Sequence, residues 1–418
     1  MDLVNQSQAR LLIILSYDPT DLGAGSTDLA SGHVVWKDEE WAAVVAEARR
    51  HRLGPLLYHK LSTRIRSAPG QAPVLEKLRN EYLRSAAANM WRFQRLAPAL
   101  QALKTAGVPT IVLKGAYLAE AVYDNIAVRH MLDVDILVRR ADLGKADSAL
   151  ALAGFTPREF QLSPPNDVNE FHYQERVTKA MIEIHWEMTP PDYPFALDVE
   201  ALWASAVPAH IAGVDVLAFS PEDLLIHLGL HATIHRFVFG LRPLCDIAET
   251  VSHLSVNWDL LGERIMQNGM GRAVWVPLAL AKELLQAAIP EDTLRRLQPP
   301  SLSNALWEGA RETVLLNTPE RSTRGAPNPN LVLFFGRKRW RDKLALALRR
   351  AFPSRKMIAA LYPVSANSPR VFLYYPVLFR VLLKRNAPAL RAFLAGKTRR
   401  SSAHQNAAAL LDWLLTRE

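Results

Sequence analysis

Two carboxylates interrupt one of the more apolar segments of the chain. Asp133 and Asp135 lie within residues 132–138, whose alternating pattern predicts a β-strand. Side chains two positions apart on a strand project from the same face, so both carboxylates point the same way. Two like charges in a buried strand are costly unless something neutralises them. A divalent cation such as Mg²⁺ is the simplest neutraliser; the alternative is a solvent-facing edge of the sheet.

A third acid has the same setting further along the chain. Glu183 lies between apolar neighbours in residues 180–188, which also predict a strand. Three acids on adjacent strands would form a two-metal centre for phosphoryl transfer. His185 shares the face of Glu183, so it would either contact substrate or phosphate, or hydrogen-bond a carboxylate and orient it.

A lysine and a glycine mark the end of an earlier predicted strand. Lys114 and Gly115 follow the β-branched segment 108–113 and open a predicted helix, where backbone N–H groups and an ammonium group suit a phosphate. Lys114 could instead act as a general base or form an ion pair with Asp133. Arg129, four residues before Asp133, could neutralise phosphate charge.

The order of helix and strand patterns predicts an α+β fold. A small mixed-sheet core lies between an N-terminal helical arm and a long C-terminal region predicted to be helical from Leu197 onward. We divide the chain into an arm at 1–106, a core at 107–195, a helical substrate-side domain at 196–330 and a basic helical region at 331–418.

Three histidines recur at helical spacing within the predicted substrate-side domain. His227, His231 and His235 lie on one face of a helix. Packed and hydrogen-bonded histidines are the favoured interpretation. Histidines that line a substrate cleft, or that bind a metal, are the alternatives.

The arrangement of these motifs resembles the polymerase-β-like nucleotidyltransferase superfamily and, more narrowly, a bacterial family of uncharacterised nucleotidyltransferases. The matching positions in the core are Leu113-Lys114-Gly115, Tyr123, Arg129, 133–138, Gly154 and 183–186. The resemblance extends to 51–58, to 220–225 with His227 and His231, to Asp246-Ile247 and to 352–354.

The resemblance implies transfer of a nucleotidyl group from an NTP to an acceptor, with Mg²⁺ or Mn²⁺ as cofactor. It would make Asp133, Asp135 and Glu183 the metal-binding carboxylates and Gly115 part of the phosphate loop. The acceptor would be a small molecule, a peptide or a protein, since members of this family often accompany polysaccharide or peptide natural-product genes. A non-catalytic member that serves as a binding subunit is the alternative.

Charge and composition limit the remaining classes of site, partner and location. The net charge is +9, and a single cysteine among 418 residues excludes a disulfide framework and a cysteine-based zinc site. Basic residues concentrate in 331–418, which favours a solvated helical face, with a nucleic-acid-modifying enzyme as the rival function. The sequence shows no apolar run of membrane-spanning length and no signal-peptide pattern, so we expect a cytoplasmic protein.

Overall fold

A mixed β-sheet with helices packed around it forms the centre of the molecule. The computed structural model describes residues 3–16, 37–64, 72–157, 169–189, 195, 197–316, 355, 358, 368–377, 380 and 409–415. The fold is α+β, so the predicted fold class is confirmed.

The sheet has seven strands in the order β3-β4-β5-β2-β1-β7-β6. The strands are β1 (Ile111–Val112), β2 (Val134–Leu137), β3 (Phe155–Pro157), β4 (Glu170–Glu175), β5 (Met181–His185), β6 (Val207–Ile211) and β7 (Val214–Ala218). β1 pairs with β2 in antiparallel fashion, whereas β2 and β5 are parallel neighbours. β2 is therefore central, which explains why all four of its residues are buried.

The N-terminal arm is helical, as the sequence predicts. Its described helices are α1 (Leu3–Leu15), α2 (Asp38–Arg50), α3 (Gly54–Arg64) and α4 (Ala72–Thr105). α4 is one continuous helix that contains Pro98. It ends before Gly107, whose φ of 67° is the left-handed conformation that suits a residue just beyond a helix. The chain then enters β1.

Short helices connect the strands of the core. α5 (Lys114–Tyr117) starts directly after Leu113 and continues as a π-helix over Leu118–Val122. α6 (Leu143–Leu152) leads to β3, and Gly154, which lies between them, has a φ of 88°. Buried side chains on these elements pack against the sheet and join the main hydrophobic core.

A β-hairpin corrects the prediction that the chain is helical from Leu197 onward. β6 and β7 pair around Ala212 and Gly213, both of which have positive φ. β7 then adds to the sheet beside β1. The prediction is wrong over 207–218 because the edge strand contains Pro208 and the turn has Ala where Asn or Asp is the common signal.

The remaining helices lie after β5 along the chain. They are α7 (Val199–Ser205), before the hairpin, then α8 (Pro221–Ile234), α9 (Arg242–His253), α10 (Trp258–Gln267), α11 (Gly271–Leu285), α12 (Glu291–Leu297) and α13 (Asn304–Leu316). The Ser220 hydroxyl accepts a hydrogen bond from the Asp223 N–H and caps α8.

Two further predictions concern membrane-spanning segments and the basic C-terminal region. Among the described residues, no helix combines the length and the apolar character needed to cross a bilayer. The basic runs at 337–339 and 397–400, and residues 352–354, lie outside the described residues. The basic helical region at 331–418 therefore stays a prediction.

Candidate functional site

Asp135 and Glu183 lie side by side on neighbouring strands. The parallel register of β2 and β5 pairs Asp135 directly with Glu183, so their side chains share one face of the sheet. Asp133 precedes β2 by one residue and is half-buried on the same side. The structure thus brings together the three acids that the sequence singled out, on the face predicted for them.

Asp135 is almost fully buried and carries two basic partners on one oxygen. Lys114 Nζ and His185 Nε2 each lie 3.2 Å from Asp135 Oδ1. Burial raises the pKa of this carboxyl, but Lys114 and then His185 outweigh it and hold the pKa well below its usual range. Lys114 therefore forms its ion pair with Asp135, and the predicted alternative of a pair with Asp133 is wrong.

The second oxygen of Asp135 is without a partner among the described residues. Oδ2 is buried and accepts no hydrogen bond from any of them. An unpartnered carboxylate oxygen in a buried site is expensive unless a cation or a donor completes it. Asp135, Glu183 and His185 form a group whose ligand atoms all lie within 4.8 Å of one another. A divalent cation therefore fits this site, with the carboxylate oxygens as the donors that Mg²⁺ prefers.

Asp133 lies beside this group rather than within it. Burial raises its pKa to about 6, with further upward contributions from the negative charges of Asp135 and Glu183 and an opposing one from Lys114. The like charges are thus close enough to repel one another. A bound cation would relieve that repulsion, which is the arrangement the sequence predicts for this acid pair.

A second ion-pair network extends from the acids onto β4. His185 Nδ1 lies 3.1 Å from Glu170 Oε2, so His185 bridges Asp135 and Glu170. His172 Nδ1 lies 3.1 Å from Glu183 Oε1. Hydrogen bonds to Glu170 and then to Glu183 raise the pKa of His172 to about 10. His185 therefore has the geometry of the carboxylate-orienting alternative.

Sequence reasoning missed Glu170 and His172. They are opposite His185 and Glu183, respectively, in the antiparallel β4–β5 register. Their alternation in a predicted strand was a usable signal, because an acid and a base two residues apart share a face. The register that joins them to β5 was not visible in the sequence.

Gly115 is a buried residue of α5, which lies between β1 and the acids in the chain. A Cβ atom added to it would meet Arg129 Nη1 and Met131 Sδ at 3.5 Å and the Asp133 carbonyl oxygen at 3.7 Å. Those distances are ordinary van der Waals contacts, so an alanine would fit. Gly115 therefore leaves a space about the size of a methyl group next to the acid pair.

Arg129 forms a buried ion pair with α9. Its Nε and Nη2 donate to Asp246 Oδ1 and Oδ2, both at 2.8 Å. The Tyr123 hydroxyl donates to the same carboxylate at 3.1 Å. The predicted contact between Arg129 and phosphate would involve the remaining nitrogen, Nη1, which faces Gly115.

The histidines of α8 lie behind the acidic site. His231 contacts the ring of His235 at 4.3 Å between ring centres and stacks on Phe239 at 5.8 Å. Burial, followed by the nearby charge of Lys114, lowers the pKa of His227 and of His231 well below the usual value. The rings are packed, but His227 Nε2 is buried and has no hydrogen-bond partner among the described residues. Among the described residues, this helix contributes no ligand to a possible metal site.

Comparisons with known proteins bear on this whole region. The sequence model of a family described as uncharacterised nucleotidyltransferases matches residues 37–286, which is more than half of the chain and includes every residue of the site. No curated protein matches the chain. The solution structure of the antibiotic-resistance factor ANT(2'')-Ia is similar at 14% identity, with a TM-score of 0.28, over 47% of this chain and 93% of that one.

Proposed function

Because the chain belongs to the family of uncharacterised nucleotidyltransferases, we propose that it transfers a nucleotidyl group from an NTP to an acceptor with the help of a divalent cation. The acceptor is a small molecule, a peptide or a protein side chain. The observation that carries this proposal is the side-by-side placement of Asp135 and Glu183 with a buried, unpartnered Asp135 oxygen.

Asp135 and Glu183 are the residues that would hold the cation, together with Asp133. A bound Mg²⁺ or Mn²⁺ supplies charge neutralisation for phosphate oxygens and lowers the pKa of an acceptor hydroxyl. His185 keeps Asp135 in place through its bond to Oδ1, and Glu170 in turn holds His185. The ligand carboxylate is thereby oriented before substrate arrives, which reduces the reorganisation needed for catalysis.

The reaction is a displacement at the α-phosphorus. The acceptor oxygen or nitrogen forms a bond to that phosphorus, the bond to the β-phosphate oxygen breaks, and pyrophosphate leaves. The acceptor proton passes to a carboxylate of the acidic site. Lys114 and the open space at Gly115 are where phosphate oxygens would lie.

Metal-dependent nucleotide binding tests the proposal. Each of the four common NTPs is titrated into the full-length protein in Mg²⁺, in Mn²⁺ and in EDTA, with Asp135→Asn as the matched variant. We expect saturable binding that needs the cation and disappears in the variant. Labelled NTPs mixed with small-molecule and protein fractions of a cell extract then reveal the acceptor by its mass shift. Absence of cation-dependent NTP binding would favour the non-catalytic binding subunit.

A further inference from the structure

Four arginines from separate parts of the chain meet next to the acidic site. His51 Nδ1 accepts a hydrogen bond from the Leu241 N–H at 3.3 Å. This contact joins the residue that follows α2 to the residue that precedes α9. It brings Arg52 beside Arg242, and the two guanidinium groups repel each other.

Two contacts of α4 bring the other arginines to the same place. Arg92 Nε donates to the Leu132 carbonyl at 3.3 Å, directly before Asp133. One turn earlier, Asn89 Nδ2 donates to the Arg129 carbonyl at 2.7 Å. Arg92 interacts electrostatically with Asp133, so the arginines adjoin the candidate cation site.

The positive charge of this group exceeds its negative charge. Asp246 is committed to Arg129 through two hydrogen bonds and accepts a third from Tyr123. Asp133 is the other carboxylate that acts on Arg92 and Arg242, and it already neighbours the cation site. Within this group of four, the arginines that form no salt bridge with a described residue are therefore Arg52, Arg92 and Arg242.

Three buried nitrogen atoms in this group have no hydrogen-bond partner in the part of the chain that the structure describes. They are Arg52 Nη1, Arg242 Nε and His130 Nδ1. Arg242 lies over the ring of Phe239 at 4.7 Å, which fixes its guanidinium plane without satisfying its donors. Burial and then the surrounding arginines lower the pKa of His130 to about 4, so this histidine adds no further positive charge at neutral pH. Buried donors without acceptors, in an electropositive pocket, are complementary to an anion.

We propose that Arg52, Arg92 and Arg242 form a binding site for a phosphate group, adjacent to the Asp133–Asp135 site. Guanidinium groups present paired N–H donors that match phosphate oxygens, and a phosphate supplies the missing negative charge. Phosphate binding at this site does not depend on catalytic activity, but the assignment of the phosphate to a substrate rests on the proposed function. The phosphate belongs either to the triphosphate of the nucleotide or to a phosphorylated acceptor.

The first experiment measures anion binding without any metal. Inorganic tripolyphosphate and inorganic phosphate are titrated into the full-length protein in EDTA by calorimetry. Arg242→Gln and Arg52→Gln are the test variants, because neither guanidinium makes a hydrogen bond within the described chain. Arg84→Gln is the control, since Arg84 is an exposed residue on the same helix as Arg92. Circular dichroism and thermal melting confirm that each variant is folded.

We expect each test variant to bind about ten-fold to a hundred-fold more weakly than the wild type, the loss typical of one charged hydrogen-bonding group. Arg84→Gln should bind as the wild type does, which shows that the loss is not the general effect of removing one positive charge. Equal affinity of the wild type and of both arginine variants, or no saturable binding, would overturn the proposal.

A second titration, with NTP and Mg²⁺, identifies the source of the phosphate. Weakened NTP binding in Arg242→Gln assigns the site to the triphosphate. Unchanged NTP binding, with weakened phosphate binding in EDTA, assigns it to a phosphorylated acceptor. If the wild type binds no NTP with Mg²⁺ but still binds tripolyphosphate through the arginines, the proposed function fails while the phosphate site stands.

Discussion

Asp135 and Glu183, which are 48 residues apart along the chain, are direct partners in the parallel register of two strands. The pairing places two carboxylates on one face of the sheet, and Asp133 adds a third negative charge close by. Such an arrangement lowers stability in the absence of a cation. At Asp133, whose pKa is raised, stability and function therefore make opposite demands, and this opposition can be measured.

Asp133→Asn is expected to stabilise the metal-free protein and to abolish nucleotidyl transfer. The folded-state pKa of about 6 lies above the reference value of 3.8, so stability is lost as pH rises between these values and stays lower above them. After allowance for solvent screening, the variant should gain about 1–2 kcal/mol at pH 7. Urea unfolding in EDTA provides the measurement.

Asp135→Asn is the matched control for that change, with the opposite effect on stability. It removes the charge that pairs with Lys114 and His185, and breaking a buried pair typically costs about 3 kcal/mol. Both variants should be inactive, but one is more stable and the other less stable than the wild type. A destabilised Asp133→Asn would mean that this acid has a structural role.

The sequence predicted the acidic site better than it predicted the residues that surround it. Alternation within a strand fixes the face of a side chain, so the shared face of Asp133 and Asp135 followed from spacing alone. The partner of Arg129 did not, because Asp246 lies 117 residues away and no local pattern connects the two. The arginine group was invisible for the same reason, since its members come from two helices and two connecting segments.

Divalent cations are expected to stabilise the wild type through the unpartnered Asp135 oxygen. At a cation concentration ten times the dissociation constant, the free energy of unfolding should rise by about 1.4 kcal/mol. Thermal melting with Mg²⁺ or Mn²⁺ and after addition of EDTA measures the effect. Glu183→Gln should reduce the shift, and an equal shift in Asp135→Asn would place the cation elsewhere.

Gly115→Ala is expected to weaken NTP binding while leaving the fold intact. The added methyl group makes contacts of 3.5 Å or more, and alanine is the better residue in a helix. It would nevertheless occupy the open space in which we propose that phosphate oxygens lie. Calorimetric titration with NTP and Mg²⁺ should show the loss, whereas the melting temperature should change little.

Gly229→Ala supplies the contrasting control for this prediction. Gly229 is on α8, and a Cβ there would come within 3.2 Å of the Val274 Cα on α11. Since backbone on a packed helix cannot move aside cheaply, we expect a loss of about 1–3 kcal/mol in stability. Folded Gly229→Ala protein should bind NTP normally. Normal NTP binding by Gly115→Ala would remove Gly115 from the phosphate site.

His130 is expected to lower the stability of the protein as the pH falls from 6.5 towards 4. In the unfolded chain its pKa is near 6.5, whereas in the folded protein burial and the neighbouring arginines hold the pKa at about 4. The unfolded state therefore binds a proton first, and acid favours unfolding across this window. Asp133 acts in the opposite direction between pH 3.8 and pH 6, so the wild type alone would give an ambiguous curve.

The informative quantity is the difference in unfolding free energy between the wild type and His130→Gln, measured in a phosphate-free buffer. That difference should be constant above pH 7 and should shift against the wild type by about 1–2 kcal/mol by pH 4.5. Parallel curves for the two proteins would show that His130 is protonated as easily in the folded state as in the unfolded chain, which contradicts its position among the arginines.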